Sequence, residues 1–256
     1  GLVGSEMCIR DSSMAGVTDV SNYWRNYMNN QEVQLIAKQT MDFIRKMIMP
    51  GMKLTQARKL CEDKMLELGA DSFWYWDIGA FIFSGDETTK SVSGKEYKTS
   101  DRYIEENDIV TIDLSPQCNH IWGDFARTII IEEGHVVDDI DDIQNAEWKA
   151  GLLMEQRLHQ ELLDFVDART TFEELFYLMN DRIVSKGFIN LDFLGNLGHS
   201  IEKKSEDRIY IEKGNQRKLK DVSYFTFEPH ISRPGSVFGY KWENIYYFKN
   251  GKLRML

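Results

Sequence analysis

"IDLSPQCNHIWGDFART", residues 112–128, sets two aspartates, Asp113 and Asp124, on either side of a turn-rich insert containing Ser115, Pro116, Asn119 and Gly123. Each acid sits in an apolar, strand-like run, "IVTIDL" before the insert and "WGDFARTIII" after it. A carboxylate taken out of water without a partner is costly, so the stretch calls for a compensating positive charge. Strand side chains alternate faces, which puts Thr111 with Asp113 and sends Val110, Ile112 and Leu114 the other way. The same alternation groups Asp124 with Ala126 and Thr128.

The rest of the chain supplies neighbours for these strands. "NNQEVQLIAKQTMDFIRKMIMPGM" has Val33, Ile36, Met41, Ile44 and Ile48 at helical spacing and stops at Pro50-Gly51, and "LTQARKLCEDKMLELGAD" reads as a second helix ending at Gly69. "FWYWDIGAFIFSGDE" is aromatic and strand-like, and "SVSGKEYKTSDRYIEEND" is polar loop. The order then recurs: "IDDIQNAEWKAGLLMEQRLHQELLDFV" and "TTFEELFYLMNDRIVSKGFIN" are helices, followed by strands at "YFTFEPHI" and "GYKWENIYYF". Setting Gly187 on Gly69 also brings Phe172 onto Leu54 and Leu178 onto Leu60. The expectation is an α/β fold, a single domain over residues 21–256, with two pseudo-symmetric halves, strands inside and helices outside. The opening "LVGSEMCIRDS" resembles the translation of a transposase adapter from sequencing libraries, read upstream of a start near Met14, so residues 1–20 are expected to be disordered and without function.

Bulk properties narrow the function. The net charge of −10, with no Lys/Arg cluster long enough to track phosphates, disfavours nucleic acid. No apolar run approaches a membrane span, and the three cysteines show no pairing pattern, so a cytoplasmic protein is expected. The aromatic run Phe73–Trp76 is expected in the core or at a homodimer contact. "DDIDDIQ" reads as acids ahead of a helix N-terminus rather than as a metal site.

Two further strands carry acids. Glu228 shares its face with Tyr224 and Thr226, and Glu243 shares its face with Lys241. His199, in "GNLGHSIE", adds an imidazole among small residues, Gly195 and Gly198. Four carboxylates and one imidazole are the inventory of a site for two divalent transition ions, in which shared carboxylates bridge and a bound water becomes hydroxide near neutral pH. Taken singly, each acid reads better as a solvated strand position or a salt-bridge partner. Alternation alone does not bring the five together.

The order and setting of "TIDLSPQCNHIWGDFART", "NLGHSIE", "FTFEPHIS" and "YKWENIYYF" resemble the metal-ligand motifs of the pita-bread metallopeptidases, the family of methionine aminopeptidase, Xaa-Pro aminopeptidase and prolidase. The resemblance spans about residues 31–253, and all five ligand positions are filled in order. It implies the pita-bread fold, with a central curved antiparallel sheet. It further implies two divalent ions (Mn, Fe, Co or Zn), with Asp113 on one, His199 and Glu228 on the other, and Asp124 and Glu243 bridging. A metal-bound hydroxide would attack the carbonyl of a small peptide or small-molecule amide while Glu228 carries the proton. Thr111, Thr226 and Arg127 would support the ligands. Lys241-Trp242 and Asn244 stand where the family has Arg-x and Asp.

Two histidines of active family members are missing. Glu96 or Tyr97 occupies the place of the first, and Ser205 and Glu206 the place of the second. Of the remaining histidines, His230 is the expected substitute in catalysis, His120 is a position from which a substrate is reachable, and His135 and His159 are expected at the surface. Acidic groups in place of imidazoles predict a pocket that favours positive charge and turns away a free carboxylate. The same departure keeps open a non-peptidase role: a small-molecule lyase or amidohydrolase in a biosynthetic pathway, or a catalytically silent binding protein.

Overall fold

The computed structural model describes residues 28–256; the segment expected to be disordered, 1–20, lies outside them. Helix α1 (Asn30–Met47) starts where the sequence predicts, because Asn29 caps it and Glu32 closes a capping box. It buries Val33, Ile36, Met41 and Ile44 and also one polar residue, Gln34. Helix α2 (Leu54–Glu67) lies beside it. There follow β1 (Ser72–Phe73), β2 (Ala80–Ser84), β3 (Asp108–Leu114), β4 (Pro116–Cys118), β5 (Ile121–Trp122), β6 (Phe125–Glu132) and β7 (His135–Val136). Helices α3 (Ala146–Phe165) and α4 (Phe172–Ser185) open the second half, and β8 (Ile189–Asn190), β9 (Phe225–Phe227), β10 (His230–Ser232), β11 (Gly239–Lys241), β12 (Asn244–Lys249) and β13 (Lys252–Met255) complete it.

All strand pairs are antiparallel, in a four-stranded sheet β2-β3-β6-β7 and three-stranded sheets β1-β4-β5, β11-β10-β8 and β13-β12-β9. One apolar cluster joins α1 and α2 to β2, β3 and β6, and a second joins α3 and α4 to β9, β10 and β12. The repeated order of two helices and then strands therefore becomes two helix-backed layers of strands. Thr128 of β6 stitches them together: its hydroxyl accepts from the Lys241 amide at 2.8 Å and donates to the Lys241 carbonyl at 3.0 Å. Among the described residues no helix is long and apolar enough to cross a membrane.

The structure alters three readings of the strands. The turn-rich insert is itself a hairpin, β4-β5, whose tip residues Asn119 and His120 both adopt the left-handed backbone (φ 51° and 63°) of a tight two-residue turn. "YFTFEPHI" breaks between β9 and β10 at Glu228-Pro229, since Pro229 has no N–H for the ladder. "GYKWENIYYF" breaks between β11 and β12 at Trp242-Glu243. The two breaks face one another, because Phe227 pairs with Asn244 on one side and His230 with Lys241 on the other.

Candidate metal centre

The facing breaks put Glu228 opposite Glu243, two like charges that a continuous sheet would not tolerate side by side. Asp113 approaches from β3, whose face it shares with buried Thr111. Carboxylate oxygens of Asp113, Glu228 and Glu243 come within 4.8 Å of one another. Asp124 enters just ahead of β6, held by the Gln34 amide of α1: the Asp124 N–H donates to Gln34 Oε1 at 2.8 Å and Gln34 Nε2 donates to the Asp124 carbonyl at 2.7 Å. Gly123 makes this approach feasible, as a side chain there would meet the Val33 carbonyl at 2.9 Å.

His199 closes the ring. Its Nδ1 lies 3.0 Å from the Ser200 carbonyl, which places the proton on Nδ1 and leaves Nε2 as a lone pair. That lone pair faces Asp124 Oδ2 at 3.6 Å and Glu228 Oε1 at 3.7 Å. Burial first, then the Arg208 charge, lowers the imidazole pKa to about 3, so the ring is neutral and presents no proton to either acid. The Thr226 hydroxyl accepts from the His199 amide at 3.0 Å and reaches Glu228 Oε1 at 3.5 Å, so one side chain aligns two of the five groups. Gly198 is required beside it: a Cβ would sit 2.3 Å from the Thr226 carbonyl.

The electrostatics describe an anion cage short of cations. Glu243 is fully buried and neither carboxylate oxygen has a hydrogen-bond partner. Burial, then Asp124, Glu228 and Asp113, pushes its carboxyl well above the ordinary value, and burial with Asp113 and Glu228 does the same to Asp124. Lys241 supplies one resident positive charge, with Nζ on Asp113 Oδ2 and 3.2 Å from Glu228 Oε2. Its burial opposes the charged form, yet Asp113, Glu228 and Glu243 outweigh that and hold the ammonium protonated. One ammonium does not neutralise four carboxylates. The oxygen-rich donor set with one unprotonated imidazole, all aimed inward, fits hard-to-borderline divalent ions.

The profile of metallopeptidase family M24 matches residues 29–250. The chain belongs to metallopeptidase family M24. In structure this M24 chain is similar to an X-Pro aminopeptidase from Thermotoga maritima MSB8, at 21% identity and a TM-score of 0.71 over 93% of this chain and 64% of that one. It is also similar to a prolidase from Pyrococcus furiosus (20%, 0.72, 93% and 67%) and to an Xaa-Pro dipeptidase from Bacillus anthracis (20%, 0.66, 88% and 58%). The chain thus spans 58% to 67% of the length of these three structures. The fold they share with it is the pita-bread fold. No curated protein matches the chain.

Around the acids of the M24 chain lies a cavity of about 430 Å³ whose walls include Trp74, Tyr75, Phe81, Phe83, Arg208 and His230. Of the run Phe73–Trp76, read from sequence as core or dimer contact, Phe73 packs on the apolar cluster of the first half and Trp76 is exposed, whereas Trp74 and Tyr75 line the cavity: Trp74 lies 5.5 Å from the His199 ring and its Nε1 donates to the Gly123 carbonyl at 3.1 Å. Four expected substrate contacts lie outside the lining. Glu96 and Glu206 are exposed, and His120 sits at the solvent-facing tip of the β4-β5 hairpin. Tyr97 is buried behind the wall, with its hydroxyl bound to the Ile82 backbone and its ring against Phe81. These placements remove Glu96, Tyr97 and Glu206 as the source of the expected charge selectivity; the acids in the lining beyond the ligand cluster are Asp192 and Glu212.

His230 does reach the cavity, but its Nε2 lies 2.7 Å from the Thr88 carbonyl, and burial lowers its pKa to about 4. It is therefore a neutral ring with one nitrogen already engaged. His159, expected at the surface, is buried, where it bonds the Tyr246 hydroxyl at 2.7 Å and the Trp242 carbonyl at 2.9 Å. Arg127 holds the Glu243 main chain rather than its carboxylate: Nη1 donates to the Glu243 carbonyl at 2.7 Å, and Nη2 to Asn244 Oδ1 at 2.8 Å. An amide at 244 thus still accepts from Arg127. Gln34, Trp74, Lys241 and Arg208 were not among the expected site residues; Gln34 left a sequence signal as a polar side chain on the apolar face of α1, and Lys241 left one as a cation on the strand face of Glu243.

Proposed function

We propose that this chain is a divalent-metal-dependent hydrolase of amide bonds, acting on small peptides, with Asp113, Asp124, His199, Glu228 and Glu243 holding two ions (Mn, Fe, Co or Zn). The observation that carries the reading is the set of donors with nothing to donate to: the His199 Nε2 lone pair and both orphaned Glu243 oxygens point into a cluster of further carboxylates. When bound, such ions supply an activated water nucleophile and polarise the carbonyl under attack. The protein's own groups do the rest. Glu228, one of three ligand acids that line the cavity with Asp113 and Asp124, takes the proton from the nucleophile and passes it to the leaving amine. Thr226 keeps Glu228 and His199 aligned, and Gln34 fixes the entry of Asp124. Trp74, Phe81 and Phe83 exclude water from one side of the substrate.

Protein purified without chelator should contain up to two divalent ions per chain and hydrolyse members of a dipeptide and tripeptide panel. Both properties should disappear with EDTA and in Asp124→Ala. Metal-free protein whose behaviour is the same in Asp124→Ala would overturn the reading. One observation favours a second reading, a small-molecule amidohydrolase or lyase. His230 is the one histidine besides His199 in the cavity walls, and the bond to Thr88 limits it to accepting at Nδ1.

A further inference from the structure

The loop that leads from β8 toward His199, residues 191–196, is pinned from within. Asp192 Oδ1 accepts from the Leu194 and Asn196 amides, both at 2.9 Å, and the Gly195 amide donates to the Asp192 carbonyl at 2.9 Å. Asn190 of β8 and Asn180 of α4 each donate through Nδ2 to the Gly195 carbonyl, at 2.9 and 3.1 Å. At the entry to the loop the Leu191 amide donates to the His230 carbonyl at 2.7 Å. Gly195 closes the turn in the left-handed backbone, with φ 72°. All of these bonds fix main-chain atoms, and none of them covers the side chains of Phe193 and Leu194, which stay 73% and 63% exposed.

Both residues nevertheless line the cavity of the acid cluster, as does exposed Val92 from the segment between β2 and β3. Their exposure puts them at its mouth, whereas buried Asp124 and His199 mark its floor. Scattered single apolar residues are ordinary on a protein surface, but a rigid pair built into a cavity wall is area that the ligand of the cavity can cover. Since the loop is already fixed, covering the pair costs no ordering of the backbone. A peptide bond held over the acids leaves a dipeptide one residue on each side of the cut. A longer peptide runs on by about 3.3–3.6 Å per residue toward the mouth. Asp192 spends its carboxylate on the loop's own amides, which leaves apolar contact as the recognition this loop offers.

We propose that Phe193 and Leu194 form a subsite for an apolar side chain on the third residue of a peptide, so that the cavity selects peptides longer than two residues that carry such a residue. The inference rests on the hydrolase reading for the placement of the cut bond, but the subsite itself is a statement about binding.

The test is calorimetric titration of the manganese-loaded protein with the C-terminal amides of Ala-Ala, Ala-Ala-Leu, Ala-Ala-Asn and Ala-Ala-Lys. All four lack a free carboxylate, so only length and the third side chain vary. Wild type should bind the leucine peptide at least about tenfold more tightly than the other three. The double variant Phe193→Ser/Leu194→Ser should lose that preference. Its affinity for Ala-Ala amide, its metal content and its urea midpoint should not change, because both side chains are exposed and their removal leaves no void in the core. Equal binding of the leucine and asparagine peptides, tightest binding of the lysine peptide, a leucine preference that survives in the double variant, or no binding of any peptide would overturn the subsite. So would a wild-type dimer in sedimentation velocity that the double variant dissolves, since a second copy of the chain would then cover the pair. Failure of the hydrolase reading looks different: leucine-selective binding with no peptide cleaved.

Discussion

Replacing Glu243 by Gln should stabilise the metal-free protein and destabilise the metal-loaded one. In the metal-free chain the carboxylate is wholly buried, without a hydrogen-bond partner, and surrounded by Asp124, Glu228 and Asp113. Its carboxyl titrates near 4.5 when unfolded and well above that when folded, so protonation favours the folded state. This contribution is complete below pH 4.5 and is lost as pH rises through the folded value. At pH 7 the loss is limited by the work of keeping one carboxyl protonated, at most about 3 kcal/mol. An amide in the same space removes the charge but leaves polar atoms unpaired, a cost of about 1–2 kcal/mol, so Glu243→Gln should gain roughly 1–2 kcal/mol in EDTA. With excess manganese the sign should reverse, because wild type gains about 3 kcal/mol at a hundred times its dissociation constant and the variant forfeits most of it. Urea unfolding followed by tryptophan fluorescence reads both arms, and lowering the pH from 7 toward 4.5 in EDTA should close the gap. A variant less stable by the same amount with and without metal would refute the reasoning, since Glu243 would then be an ordinary structural partner.

Removing the resident ammonium should have the complementary effect. Lys241→Met is expected to raise manganese affinity by at least about tenfold in calorimetry, since a like charge leaves the ligand oxygens, and to lower stability in EDTA; weaker metal binding would instead mean that Lys241 holds the ligands in place. The two family histidines absent from this chain should be felt in catalysis. Parallel kcat/KM measurements should find the manganese- or cobalt-loaded protein at least about a hundredfold less efficient on Xaa-Pro dipeptides and Met-Ala peptides than a histidine-complete relative, a loss of about 3 kcal/mol in transition-state stabilisation. Full efficiency would show that another group, His230 first among them, has taken over the role.

What was legible in the sequence was the part written in local pattern. Asp113 and Asp124 stood out because an acid inside an apolar strand is anomalous on its own, and α1 was readable from its spacing and its stop at Pro50-Gly51. The sheet breaks were harder. "YFTFEPHI" and "GYKWENIYYF" each look continuous, and only their pairing shows that both ladders open at the same level to set Glu228 against Glu243. Long-range partners left still less trace: Gln34 meets Asp124 across 90 residues, and Lys241 meets Asp113 across 128. Arg208 was missed for a different reason. The family pattern points to Ser205 and Glu206, whereas the short helical turn Ser205–Asp207 leaves Glu206 exposed and Arg208 stacked in the wall.

The central claim is that the five inward-facing donors are there to hold divalent ions. Anomalous diffraction at the manganese edge, from crystals grown with that ion, tests it most directly. Up to two peaks are expected among Asp113, Asp124, His199, Glu228 and Glu243, with the Lys241 ammonium displaced from Asp113. Crystals that show no peak there, with Lys241 still seated on Asp113 and Glu228, would contradict it.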